Sequence, residues 1–151
     1  MPVTPPCPTL VHPSRRRPRA ATGGDFAVPM DLALPATFVA FYALHHDRYL
    51  AYAQAHMHPA AAKTTLRETF GELATHWSDI LCRPNPAAHA WDRLVRRIRP
   101  RVGTIDTSSS LQYQVIILHR AGCSVTGIAD STGQDPNTIR YLLHVWTRDN
   151  P

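Results

Sequence analysis

The sequence predicts an all-α protein, arranged as two small helical modules behind a disordered N-terminal segment. Three observations predict it. Apolar residues recur at three- and four-residue spacing in successive stretches, each closed by a proline or glycine break. No stretch of useful length alternates apolar and polar residues as a half-buried strand would. Seven of the 14 prolines fall in residues 1–30, together with Gly23-Gly24 and Arg15-Arg16-Arg17, a composition that removes amide donors and buries little. With 151 residues and 44% apolar content, the chain can bury one ordinary core or two small helical ones.

Residues 1–30 read equally as a linker, as a stretch ahead of a true start at Met30, or as a basic arm that holds phosphate weakly. Helical patterning begins at Pro35, where Phe38, Phe41, Tyr42, Tyr49 and Tyr52 form one apolar stripe before Pro59. A second helix runs from about Ala60 through Leu66, Phe70 and Leu73 to Trp77. It stops between Ser78 and Arg83, ahead of the break Arg83-Pro84-Asn85-Pro86. A third, from about Pro86 to before Pro100, turns Trp91, Leu94, Val95 and Ile98 inward and is basic through Arg93, Arg96, Arg97 and Arg99. These helices make a first module over residues 31–101, followed by a short link at 102–106.

The second module, residues 107–148, opens with the helix-starting Thr107 and Ser108 ahead of Leu111, Val115, Ile116 and Leu118. Gly122 supplies a left-handed cap to that fourth helix. Ser124 caps a short fifth helix ending near Ser131, and Asp135-Pro136 reads as N-cap and first helical position of a sixth. Small Ala129 suits a close helix crossing, Gly133 suits a turn with positive φ, and Ile139 returns to the core. The spacing is that of a helix-turn-helix. At 100° per residue, Asn137, Arg140, Tyr141, His144 and Arg148 share one sector of about 100°, opposite Ile139, Leu142, Leu143 and Trp146. Such a polar face can enter a major groove, where Arg140 and Asn137 can make paired hydrogen bonds to guanine or adenine edges and Tyr141 and Arg148 can hold phosphates. The competing reading is the solvated face of an ordinary terminal helix.

The formal charge of +5 invites a polyanionic partner, but its distribution is uneven. Residues 1–30 and residues 31–101 each carry a net +3, whereas residues 102–151 hold three arginines against four aspartates. The candidate DNA reader is not the basic part. The cysteines Cys7, Cys82 and Cys123 are far apart and lack a CxxC pair, which suggests unpaired thiols in a reducing, cytoplasmic setting. No run reaches the ~20 apolar residues of a membrane span, and no secretory signal is visible. His45-His46 and His56-Met57-His58 diverge in direction on a helix and have no cysteine or carboxylate cluster to complete a metal site, so no metal or cofactor is expected. No phosphate loop, nucleophile elbow or paired-carboxylate signature points to an enzyme or a small-molecule substrate.

The run from Cys123-Ser124-Val125-Thr126-Gly127-Ile128-Ala129-Asp130-Ser131-Thr132-Gly133 to Thr138-Ile139-Arg140-Tyr141-Leu142-Leu143-His144 resembles the region 4 helix-turn-helix of extracytoplasmic-function sigma factors. Leu111 to His119 is similar to that region's first helix, and Phe38 to Leu50 to the opening of region 2. Leu66-Arg67-Glu68-Thr69-Phe70 and Ala88-His89-Ala90-Trp91 fall where the family has its second helix and its promoter-facing helix. The resemblance covers residues 35–148. It implies a sigma-factor-like regulator of transcription initiation that binds promoter DNA and core RNA polymerase, with an anti-sigma factor as a further partner. DNA contacts would fall on Asn137, Thr138, Arg140, Tyr141, His144 and Arg148, backbone contacts on Arg93, Arg96, Arg97 and Arg99, and polymerase contacts on Leu66, Arg67 and Phe70. Trp77 and Trp91 are expected in the core, with stacking on a flipped promoter base as their other use.

Departures from the family qualify that expectation. Lys63 and Thr64 follow Ala62 where the family has an acidic pair, which weakens docking on a basic surface. Leu142, Val145 and Thr147 stand at positions the family makes basic, and each lost phosphate contact lowers salt-dependent affinity. The link of about six residues spans only ~20 Å, short for two separated promoter elements. Two rivals follow: a degenerate sigma paralogue acting as a protein-interaction adaptor, and an autonomous helix-turn-helix regulator.

Overall fold

The computed structural model describes residues 34–98 and 110–151. These form seven helices and no strand: α1 (Ala36–Gln54), α2 (Pro59–Thr75), α3 (Trp77–Leu81), α4 (Pro86–Ile98), α5 (Leu111–Arg120), α6 (Val125–Thr132) and α7 (Pro136–Asp149). The fold is all-α, as the periodicity predicts. The N-terminal segment, Arg99 and the link at 102–106 lie outside the described residues.

Helix starts follow local chemistry. Pro35 O accepts from the amides of Phe38 and Val39 at 2.9 and 3.1 Å to open α1. The His58 ring accepts from Ala60 N ahead of Pro59 in α2, and Asn85 Oδ1 accepts from Ala88 N at 3.0 Å ahead of α4. Ser110, Ser124 and Asp135 accept from the amides of Tyr113, Gly127 and Asn137 to cap α5, α6 and α7. Each of these caps satisfies an amide that the first helical turn leaves without an intrahelical partner. The α5 cap is Ser110, later than the expected Thr107 and Ser108, which lie outside the described residues.

Two expectations are corrected. The second helix does not run through Trp77: His76, at φ −109° and ψ 20°, breaks it, and Trp77 begins the separate turn α3. The indole of Trp77 donates to Thr37 Oγ1 on α1 at 2.9 Å, a tertiary contact that no local pattern encodes. Tyr42 is 41% exposed and lies off the core stripe of α1, which is made by Phe38, His45, Tyr49, Tyr52 and Ala53.

Residues Leu34–Pro151 form one compact unit. Tyr49 and Tyr52 of α1 pack edge-on or tilted against Trp91 of α4, with ring centroids 5.2 and 4.9 Å away. Val115 and Leu118 of α5, Ile128 and Ala129 of α6, and Ile139 and Leu143 of α7 belong to the same core cluster. The helices on either side of residues 99–109 therefore share a core. Three polar ties cross the seam: Trp91 Nε1 donates to Gln114 Oε1 at 2.7 Å, Asn85 Nδ2 donates to Gly133 O at 2.7 Å, and His45 Nδ1 lies 3.1 Å from Ser131 Oγ.

The His45 tie has a pH consequence. Burial, reinforced by the Arg48 guanidinium and opposed by Asp130, lowers the His45 pKa from 6.5 to about 4. The unfolded chain therefore binds the proton more readily, and stability present above pH ~6.5 is lost as pH falls towards about 4. At about 1.36 kcal/mol per pH unit the full difference is on the order of 3 kcal/mol. Denaturant midpoints measured from pH 7 to pH 4.5 are expected to fall in the native protein and to fall less in His45→Gln. Parallel curves would remove His45 as the cause.

Candidate nucleic-acid interface

The α6–α7 hairpin is built around two glycines. At Gly133, φ is +68°, and a Cβ there would sit 2.5 Å from Ala88 N and from Asn85 Oδ1. Only glycine meets both the left-handed turn and the close approach of α4. At Gly127 a Cβ would fall 2.7 Å from Arg48 Nε, so the Arg48 side chain of α1 lies directly over α6. Ala129 is buried nearby, as expected for a close crossing. A turn of three residues then leads to Pro136, and Ile139 and Leu143 anchor α7 in the core.

On the opposite side of α7, Asn137, Thr138, Arg140, Tyr141, His144 and Arg148 are all exposed. Arg140 Nη1 donates to Asn137 Oδ1 at 2.9 Å, holding the two candidate base-reading side chains together one turn apart. Arg148 leans on Asp149 at 3.4 Å, which leaves Arg140 as the cation of this face that no carboxylate holds among the described residues. Leu142 and Trp146 are only half-buried, and the Arg120 guanidinium lies 5.8 Å from the Trp146 ring centroid, closing the far edge of the helix.

The arginines of α4 are differently placed. Arg93 pairs with Glu72, Arg97 reaches Glu72 at 2.6 Å and Glu68 at 3.1 Å, and Arg96 pairs with Asp92 at 2.7 Å. The Arg97 hydrogen bond, aided by the Arg93 and Arg97 charges, holds the Glu72 carboxyl below its usual range despite partial desolvation. The basic helix is thus largely neutralised by carboxylates, mostly from α2, before any phosphate arrives. Sequence position alone could not show the pairs of Arg93 and Arg97, whose partners lie 21 to 29 residues away, whereas Arg96 and Asp92 are one helical turn apart.

Of the residues expected to meet a polymerase, Leu66 and Phe70 are buried, at 3% and 5% exposure, and only Arg67 faces outward. Trp77 and Trp91 are each 4% exposed and serve the core. The histidines at 46, 56 and 58 have partners within the fold. His56 donates from Nδ1 to Tyr52 O at 2.7 Å and accepts from the Tyr113 hydroxyl at Nε2, 3.1 Å away. His46 contacts Asp47, and His58 caps α2. Among the described residues, no three His, Cys, Asp or Glu side chains come together as a metal site would require. The expectation of three unpaired thiols is corrected at Cys82, which is disulfide-bonded; distance along the chain carries no information about approach in space. Cys123 is free and half-buried, and burial pushes its thiol up against the opposing pull of Arg48. Cys7 lies outside the described residues.

The sequence pattern did not anticipate the apolar side chains that α1 exposes, Val39 and Tyr42 beside the exposed Leu34, and Leu44 on another side of the helix. The signal was present in Phe38-Val39-Ala40-Phe41-Tyr42-Ala43-Leu44, which is apolar all round the helix instead of along one stripe. No helix among the described residues is long and apolar enough to cross a membrane. No protein-family model matches this chain, and no curated protein or solved structure matches it either.

Proposed function

We propose that the protein is a sigma-factor-like transcription regulator that reads promoter DNA through α7, with RNA polymerase core as its partner. One observation carries this reading: a helix-turn-helix whose second helix buries Ile139 and Leu143 and leaves Asn137, Arg140, Tyr141 and His144 exposed. In the major groove, Arg140 donates to the O6 and N7 of a guanine, and Asn137 pairs with an adenine edge. Thr138, Tyr141, His144 and Arg148 fix register through the phosphates. The protein acts by binding and not by catalysis.

The adaptor reading also has support. Residues 102–151 carry three arginines against four aspartates, and the described α4 arginines are engaged by carboxylates. With a salt slope of roughly 0.9 per phosphate contact, so few free cations give weak affinity for DNA alone. Polymerase or another partner must therefore supply part of the binding energy. An anti-sigma factor belongs to the same class of partner.

The test is copurification of the full chain with core RNA polymerase, followed by transcription from a pool of genomic promoters. Association with promoter-directed initiation supports the proposal. Association without initiation leaves the adaptor, and DNA binding without polymerase leaves an autonomous regulator. Within the proposal, Arg140→Ala is expected to weaken the best site by about 1–3 kcal/mol and to relax base preference at one position, with thermal stability unchanged because Arg140 is exposed. An unchanged footprint and affinity would remove Arg140 from base reading.

A further inference from the structure

Val39 and Tyr42 of α1 border a groove between α1 and α2. Its upper part, about 410 Å³, is lined by Leu34, Val39, Tyr42, Gly71 and Ala74 among others, and by no charged group. Leu34, Val39 and Tyr42 are 46%, 51% and 41% exposed there. Apolar side chains gathered along a groove, and not scattered singly, are the pattern of an interaction site.

Gly71 indicates what shape the groove accepts. It sits inside α2, where glycine is less stable than alanine, yet nothing lies within 4 Å of where its Cβ would be. Packing within the chain does not require it. What the missing side chain leaves, with Ala74 one turn on, is a flat strip where another helix can come close.

The groove continues past Tyr42 and Phe70 into a second part of about 300 Å³ that adds His46, Lys63 and Arg67. Neither Lys63 nor Arg67 takes part in an ion pair among the described residues, and no carboxylate lines either part. The surface is therefore apolar at one end and cationic at the other. A second copy of this chain does not complement it, because a two-fold contact pairs the patch with itself and brings no acid to the two cations.

We propose that this groove docks an amphipathic helix of another protein, with apolar anchors on its buried face and carboxylates at the end over Lys63 and Arg67. Because Leu66, Arg67 and Phe70 line the groove, the inference deepens the partner-binding half of the proposed function, but it is independent of whether α7 binds DNA. It follows the helix-in-groove mode, with anchors at i, i+3, i+4 and i+7 giving affinity and the charged end setting direction.

The full chain is titrated into a fluorescein-labelled helical peptide with leucines at that spacing and three glutamates at one end. A lysine-tipped version and a scramble of the same composition serve as comparisons, read by fluorescence anisotropy. Saturable binding of the glutamate-tipped peptide alone is expected. Val39→Glu, at an exposed position, should weaken it at least tenfold, and Lys63→Glu with Arg67→Glu should transfer preference to the lysine-tipped peptide. Gly71→Met should weaken binding about tenfold while the thermal midpoint stays level or rises, which damage to the fold would not produce. Absence of binding, equal binding of the scramble, or indifference to Val39→Glu would each overturn the proposal. So would dimerisation that Val39→Glu abolishes in a chain that binds no peptide, since a second copy would then be the occupant.

Discussion

Gly133→Ala is expected to lower the stability of the folded chain by about 3 kcal/mol, a large share of what a domain of this size possesses. Two costs combine. Alanine at φ +68° pays about 1–2 kcal/mol for the left-handed conformation. Its Cβ would also press on Ala88 N and Asn85 Oδ1 at 2.5 Å, forcing the turn away from the start of α4 at a further cost of about 1–3 kcal/mol. The displacement would also strain the hydrogen bond from Asn85 to Gly133 O. Gly122→Ala is the control: φ there is +87°, but nothing lies within 4 Å of the added carbon, so only the conformational cost of about 1–2 kcal/mol remains. Urea denaturation of the two variants should separate them by more than 1 kcal/mol. Equal losses would mean that the approach of α4 to the turn contributes nothing.

Trp91→Ala is expected to cost about 4 kcal/mol, in the range for emptying a buried aromatic site. Trp91 touches both Tyr49 and Tyr52, and its indole donates to the buried Gln114 of α5. Removing it opens a void beside α1 and deprives Gln114 Oε1 of that donor. Because the residue spans the seam, both halves should lose stability together. Hydrogen exchange is the measurement: amides of α1 and α2 and amides of α5 to α7 should lose protection in parallel. Protection retained in α5 to α7 would show that the C-terminal helices fold independently of Trp91.

The local layer of the fold was legible because its causes are local. Ser124 and Asp135 cap their helices, Gly122 and Gly133 take positive φ, and Ile139 faces the core. Each is dictated by the chemistry of a residue and its neighbours within one turn. The exposed set on α7 follows from the same periodicity, which is why all six α7 residues singled out from the sequence are at the surface.

In the first module, chain position carries little information about a side chain's environment. Leu66 and Phe70 are mostly covered by α1, where Phe70 meets Tyr42 and Tyr49 at ring distances of 4.7 and 5.3 Å, and reach only the floor of the groove between α1 and α2. The α4 arginines look like phosphate ligands until Glu68 and Glu72 are placed beside them.

By itself, the sequence determined an all-α chain, the order and capping of most helices, and a polar face on its last helix, since these depend on periodicity and on side chains bonding to nearby amides. Only the tertiary structure decided that the helices on either side of residues 99–109 share a core, that the α4 arginines are held by carboxylates, and that α1 keeps an apolar flank in water. Those features depend on contacts between residues 20 to 90 positions apart, such as His45 with Ser131, whose approach is set by how helices pack and not by the spacing within any one of them.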